Sequence, residues 1–172
     1  SFIHKNYDFK IPQNINWQKI IELSLKEAVI CVLYYSINKN RCFNSLSEDI
    51  MTKLKKIFYS NMLKNILIRD ELVKINSQLN QNNIEVVFLK GFHLIENLYE
   101  NPTLREIDDV DILIKKDNLS EIQKILLKNG YNNINEKKLK WHIIDDENTV
   151  LFLKLLNNNI RLILDLHFSL GW

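Results

Sequence analysis

Two cysteines, two prolines and three glycines are all that 172 residues contain. Cys31 and Cys42 stand eleven positions apart, and no histidine or second cysteine pair falls at metal-ligand spacing, so neither a disulfide framework nor a zinc site organises the chain. Both read as reduced, buried thiols of a cytoplasmic protein. Long apolar runs are missing as well. The longest, Ala28 to Tyr35, is far short of the ~20 residues that span a bilayer, and no signal-peptide pattern opens the chain. An excess of one charge is also absent. Lys and Arg number 23 against 21 Asp and Glu, a formal charge of +2, and the two signs are interleaved, so no basic stripe advertises a nucleic-acid backbone. The shortage of Gly and Pro accompanies an abundance of Asn, Lys and Ile. This is read as a compositional bias of the source genome, and Asn82-Asn83 and Asn157 to Asn159 are assigned no function.

What is present belongs to a soluble globular protein: 46% hydrophobic and 26% charged residues, enough for one core with a helical appendage. The chain opens at Ser1 without Met and stops soon after a strand-like run, which reads as a piece of a longer protein. After a polar, irregular start, a helical stripe runs from Asn16 through Trp17, Ile20, Ile21, Leu23, Ser24, Leu25 and Ala28 toward Tyr35, with Asn14 or Asn16 as the N-cap. A second helical region begins at Ser45 or Ser47. Leu54, Ile57, Phe58, Met62, Ile66, Leu67, Leu72, Ile75 and Leu79 mark its packing face, as one helix or as two with a break near Asn61 to Asn65. Asn80 to Asn83 terminates it.

The order of elements then changes. Ile84 to Leu89 is a short strand, followed at once by Lys90-Gly91 and an amphipathic helix from Phe92 to Tyr99. Asp109 to Lys115 is a second strand. Asp117 or Asn118 is expected to cap a helix that buries Leu119, Ile122, Ile125 and Leu126 and stops at Gly130. Tyr131 to Ile134 adds a short strand, Lys137 to Asp146 is ambiguous, and Thr149 to Leu155 with Ile160 to Phe168 form a hairpin.

Chemistry concentrates in Val87 to Ile114. Alternation along a strand puts Asp109 and Asp111 on one side, with Cα atoms about 7 Å apart, and Asp108 on the other. Two carboxylates that close repel unless a cation lies between them, and a divalent metal answers that need. Asp165, set inside the apolar run ILDLHF, is a third acid that burial penalises unless it is paired or coordinating. Lys90-Gly91 precedes Asp109 at a strand-to-helix junction, and Arg105 stands four positions before it. Taken singly, each has a bland explanation: Lys90 as a charge at a strand end, Arg105 as a partner of Glu106 or Asp108, Asp165 as a partner of Arg161 or a lysine of the hairpin. His167, two residues beyond Asp165, either orients a carboxylate, stacks near a bound ligand or is structural. His93, His142, Tyr99 and Trp141 read as surface or packing residues.

In combination these residues resemble the nucleotidyltransferases of the DNA polymerase beta superfold. The likeness is to a bacterial branch that reads LKG, Tyr, Arg, Asp-x-Asp and later Asp-Leu-His; here these are Leu89-Lys90-Gly91, Tyr99, Arg105, Asp109-Val110-Asp111 and Asp165-Leu166-His167. It is closest over Val87 to Tyr131 and Leu164 to Phe168. The resemblance implies an α+β protein with a nucleotidyltransferase-like mixed β-sheet core flanked by helices at residues 84–172, after an N-terminal helical region at 1–83. It implies a metal-dependent enzyme moving a nucleotidyl group, expected to be adenylyl, from an NTP, expected to be ATP, to a small-molecule or protein acceptor. Asp109, Asp111 and Asp165 would hold Mg²⁺ or Mn²⁺, with Asp165 as base or second-metal ligand. Gly91 would let the triphosphate approach the start of the helix, and Lys90 and Arg105 would supply positive charge to it. Two departures stand out. Phe92 replaces the usual Gly or Ser after the glycine, and the chain stops seven residues after Asp165, where the superfold usually continues with helices. They motivate the alternative of a non-catalytic nucleotidyltransferase-like module that binds nucleotide or a partner protein.

Overall fold

The computed structural model describes residues 15–40, 46–99, 101–134, 149–157 and 160–169. Cys42, Trp141, His142 and the ambiguous stretch from Lys137 to Asp146 lie outside them. The elements are helices α1 (Trp17–Lys26), α2 (Ile30–Lys39), α3 (Glu48–Gln81), α4 (Lys90–Asn97) and α5 (Leu119–Lys128), and strands β1 (Val86–Phe88), β2 (Asp109–Ile114), β3 (Asn132–Asn133), β4 (Thr149–Leu155) and β5 (Arg161–His167). Short 3-10 turns at Pro102–Leu104 and Lys116–Asn118 lie between them. No helix among the described residues is long and apolar enough to cross a membrane.

The chain divides into two compact units, one of residues 1–61 and 103–106 and the other of residues 62–102 and 107–172. In the first, Ile21, Ile30, Cys31, Tyr34, Ile37, Leu54 and Phe58 are buried, and the Tyr34 and Phe58 rings lie 4.8 Å apart. Of the two candidate caps, Asn16 is the one that caps α1, its side chain accepting from the Lys19 N–H at 3.0 Å. The single helix expected from Asn16 to Tyr35 is instead two. Ala28 takes φ +53, Ala28 N–H donates to Leu25 and Val29 N–H to Ser24, so the chain turns out of α1 through a left-handed residue. Alanine gives no sequence signal for such a turn, and Leu23 and Leu25 remain exposed.

Helix α3 is unbroken. Its buried positions are Leu54, Phe58, Asn61, Asn65, Ile68, Leu72, Ile75 and Leu79, alternating steps of four and three; Ile66, expected on this face, is exposed. The two asparagines that suggest a break are therefore on the buried face. Within the first unit Asn61 donates to the carbonyls of Thr103 and Arg105 at 2.8 and 3.4 Å. Within the second, Asn65 donates to the Pro102 carbonyl at 2.8 Å. Each amide satisfies loop carbonyls that burial would otherwise orphan. The helix ends as expected, with Asn83 at φ +57 and Ile84 N–H returning to Leu79. Gly130 at φ +81 ends α5 in the same way, with Tyr131 N–H on the Leu126 carbonyl. At the other end of α5 the expected side-chain cap is absent: a 3-10 turn leads in, and Asn118 makes no capping bond.

The second unit is an α+β layer whose five-stranded sheet has the order β1-β2-β5-β4-β3. β2 and β5 are parallel and every other pair is antiparallel, including the expected β4–β5 hairpin. One face carries Val110, Ile112, Ile114, Phe152, Leu162, Leu164 and Leu166, all buried against the C-terminal half of α3 and against α4 and α5. The opposite face carries Asp109, Asp111, Leu113, Leu151, Ile163, Asp165 and His167, most of them only half buried.

Candidate active site

The parallel register assembles the site. Asp109 pairs with Ile163, Asp111 with Asp165, and Leu113 with His167, so the Asp111 and Asp165 side chains emerge from neighbouring strands on one face. His167 follows two residues along the same strand. Asp111 is 6% exposed, Asp165 and His167 are half buried, and Asp109, at the first position of β2, is exposed.

Asp111 Oδ1 is the focus. It accepts from Lys90 Nζ at 2.6 Å and lies 2.8 Å from His167 Nε2, which is itself 3.4 Å from Asp165 Oδ2. One potential ligand atom from each of Asp111, Asp165 and His167 falls within a cluster whose members are all within 4.8 Å of one another. The other Asp165 oxygen, Oδ1, is buried and has no hydrogen-bond partner among the described residues. Burial pushes the Asp165 carboxyl above the ordinary carboxylate range; His167 and Lys90 oppose that rise, and the charges of Asp111 and Asp109 add to it. The hydrogen bond to Asp111 raises the Lys90 ammonium above its usual value, against a smaller opposing effect of burial. A carboxylate pair, an imidazole and an orphaned buried oxygen form a donor set that fits a divalent cation.

Local backbone explains how Lys90 reaches Asp111. Leu89 N–H donates to the Asp111 carbonyl at 2.9 Å, which ties the end of β1 to β2 at the level of the acid. Lys90 then turns with φ +45, an unusual backbone for a residue with a Cβ and one costing about 1–2 kcal/mol, and opens α4. The N-cap residue Leu89 makes no side-chain capping bond to this helix start. Gly91 occupies the first turn of α4. Phe92, in place of the expected small or hydroxyl residue, packs into the core with its ring 5.3 Å from Phe88.

Of the six residues singled out in the sequence, Lys90 and Asp111 meet directly, Asp165 joins Asp111 in the 4.8 Å cluster, Gly91 adjoins Lys90, and Asp109 stands at the rim. Arg105 belongs to the first unit. Lys90, at a strand end, pairs with Asp111, and among the described residues Asp165 has no ion pair with Arg161 or with the hairpin's Lys154, which pairs with Glu71. Asp108 instead pairs with Lys64 at 2.9 Å. His167 is the residue that sequence reasoning left undecided. Its signal was the i, i+2 spacing from Asp165 on a strand.

A family model described as uncharacterised nucleotidyltransferase matches residues 13–172. Comparison with curated proteins and with solved structures returns no match.

Proposed function

The chain belongs to the uncharacterised nucleotidyltransferase family, and from that premise we propose that it transfers a nucleotidyl group, adenylyl in the first instance, from an NTP to a small-molecule or protein acceptor, with Mg²⁺ or Mn²⁺. The observation that carries this reading is the side-by-side placement of Asp111 and Asp165 on parallel strands, beside the Lys90-bearing start of α4.

Asp111 and Asp165 would hold the metal, with Asp109 at the rim as the further carboxylate. A divalent ion bound there would supply Lewis-acid stabilisation to phosphoryl oxygens. The chain's own residues do the rest. The first N–H groups of α4 face an anion with a favourable helix dipole, and Gly91 keeps that approach free of a side chain. Lys90, two-thirds exposed and held at Asp111, lies within reach of both acid and phosphate and limits charge repulsion between them. Asp165 would act either as the base that accepts the proton of an attacking hydroxyl or as a ligand of a second metal ion.

The test is calorimetric titration of each NTP into the protein with Mg²⁺, without it, and with Asp109→Asn and Asp111→Asn. Metal-dependent binding that Asp111→Asn weakens by a factor of ten or more is expected, about 1.4 kcal/mol. Absence of binding by any NTP would reject the transferase reading and leave the non-catalytic module.

A further inference from the structure

The metal ligands that the resemblance implies are all carboxylates, Asp109, Asp111 and Asp165. The geometry favours a different third member. Asp109 is exposed at the edge of β2 and lies outside the 4.8 Å cluster, whereas His167 lies inside it. Adjacent ligands of an octahedral ion with bonds of about 2.1 Å stand about 3.0 Å apart. His167 Nε2 is 2.8 Å from Asp111 Oδ1 and 3.4 Å from Asp165 Oδ2, values that bracket this edge length. The imidazole is partly buried, at 16% side-chain exposure, and its Nε2 lies 2.8 Å and 3.4 Å from the two carboxylates.

Resting on the nucleotidyltransferase reading, we propose that His167 is a nitrogen ligand of the metal, so that the centre is a mixed nitrogen–oxygen site selecting a divalent transition-metal ion over Mg²⁺. Mg²⁺ takes oxygen ligands and holds its waters, and an imidazole gains little from it. A borderline ion such as Mn²⁺ or Co²⁺ binds imidazole more strongly, and affinities at N/O sites rise along that series. Asp111 and Asp165 alone would serve either class of ion; His167 adds the discrimination. Asp109 then remains at the rim, nearer to solvent and substrate.

Pulsed electron paramagnetic resonance of Mn²⁺ bound to the protein tests this without reference to turnover. The wild type is expected to show nitrogen modulation that changes when histidine is labelled with ¹⁵N, and that disappears in His167→Gln. Mg²⁺ competition is measured in parallel. The Mn²⁺ over Mg²⁺ preference should fall at least about tenfold in His167→Gln and stay unchanged in His93→Gln. The labelled wild type needs no substitution, so a poorly folded variant does not blunt the test. Bound Mn²⁺ that Asp111→Asn abolishes but that carries no nitrogen modulation would overturn the proposal and leave His167 as a hydrogen-bonding residue only. Failure to bind Mn²⁺, or an unchanged preference in a folded His167→Gln, would overturn it as well. The NTP titrations read the transferase separately: triphosphate binding without nitrogen ligation defeats only this inference, and nitrogen ligation without triphosphate binding defeats only the transferase.

Discussion

Asp165 carries opposing demands in one side chain. It is buried enough to raise its carboxyl above the ordinary range, and Oδ1 has no partner among the described residues, yet Oδ2 faces His167. A carboxyl raised by folding favours the folded state least when it is ionised. Below the ordinary carboxylate range both states are protonated and no penalty applies. As pH climbs, the unfolded chain ionises first, and stability falls until the pH passes the raised value. Asp165→Asn should therefore stabilise the metal-free protein by about 1 kcal/mol at pH 7 and leave it unchanged near pH 3. Urea melts in chelator at the two pH values check this; a destabilised variant at pH 7 would mean that the contacts to His167 and Lys90 outweigh burial. Cys31 is simpler. Desolvation, with Glu106 adding, pushes its thiol up to about 11, against a weaker opposing hydrogen bond from Asn61. Its thiolate fraction near pH 8 should be about a hundredfold lower than in the unfolded chain. In a Cys42→Ser background, iodoacetamide is expected to label Cys31 at least that much more slowly in buffer than in denaturant.

Elements here end by one device used three times. α1, α3 and α5 each close with a left-handed residue and a bond from the next N–H to the last turn, at Ala28, Asn83 and Gly130. Glycine and asparagine visit this conformation readily, and alanine does so at a cost. Ala28→Gly is expected to raise stability by about 0.5 kcal/mol, and Gly130→Ala to lower it by about 1 kcal/mol. Thermal melts of the two variants give opposite signs if the backbone conformations are right. The same logic separates legible from illegible ends. Asn80 to Asn83 and Gly130 announced their stops, whereas Ala28, a strong helix former, concealed one. The long α3 failed in the opposite direction: Asn61 and Asn65 looked like breakers because their partners are loop carbonyls some forty residues away in sequence.

Across the sheet-bearing unit, one buried ion pair ties a helix to the sheet. Lys154 of β4 lies 2.7 Å from Glu71 of α3, both less than one-fifth exposed, and its ammonium sits 5.2 Å from the centre of the Tyr131 ring. Burial, with the charge of Glu71 adding, pushes the Tyr131 phenol well up. Removing one partner leaves a charge in the core. Lys154→Met is expected to cost about 3 kcal/mol, and the double variant Glu71→Leu with Lys154→Met to recover most of it. Denaturant midpoints of the single and double variants decide the point; additive losses would show that the pair is not coupled.

The sequence by itself determined the elements and the local chemistry. Alternation put Asp109 and Asp111 on one side of a strand, an apolar period of three and four drew α3, and the Lys90-Gly91 junction and the β4–β5 hairpin were read from neighbouring residues. These features depend on spacings of a few positions, which a chain displays openly. Only the tertiary structure decided that β2 lies parallel to β5 with Asp111 beside Asp165, that His167 reaches Asp111, and that Lys90 turns left-handed to meet the same oxygen. Strand partners and register are set by which apolar faces bury together over long separations. No local pattern in the sequence encodes that choice.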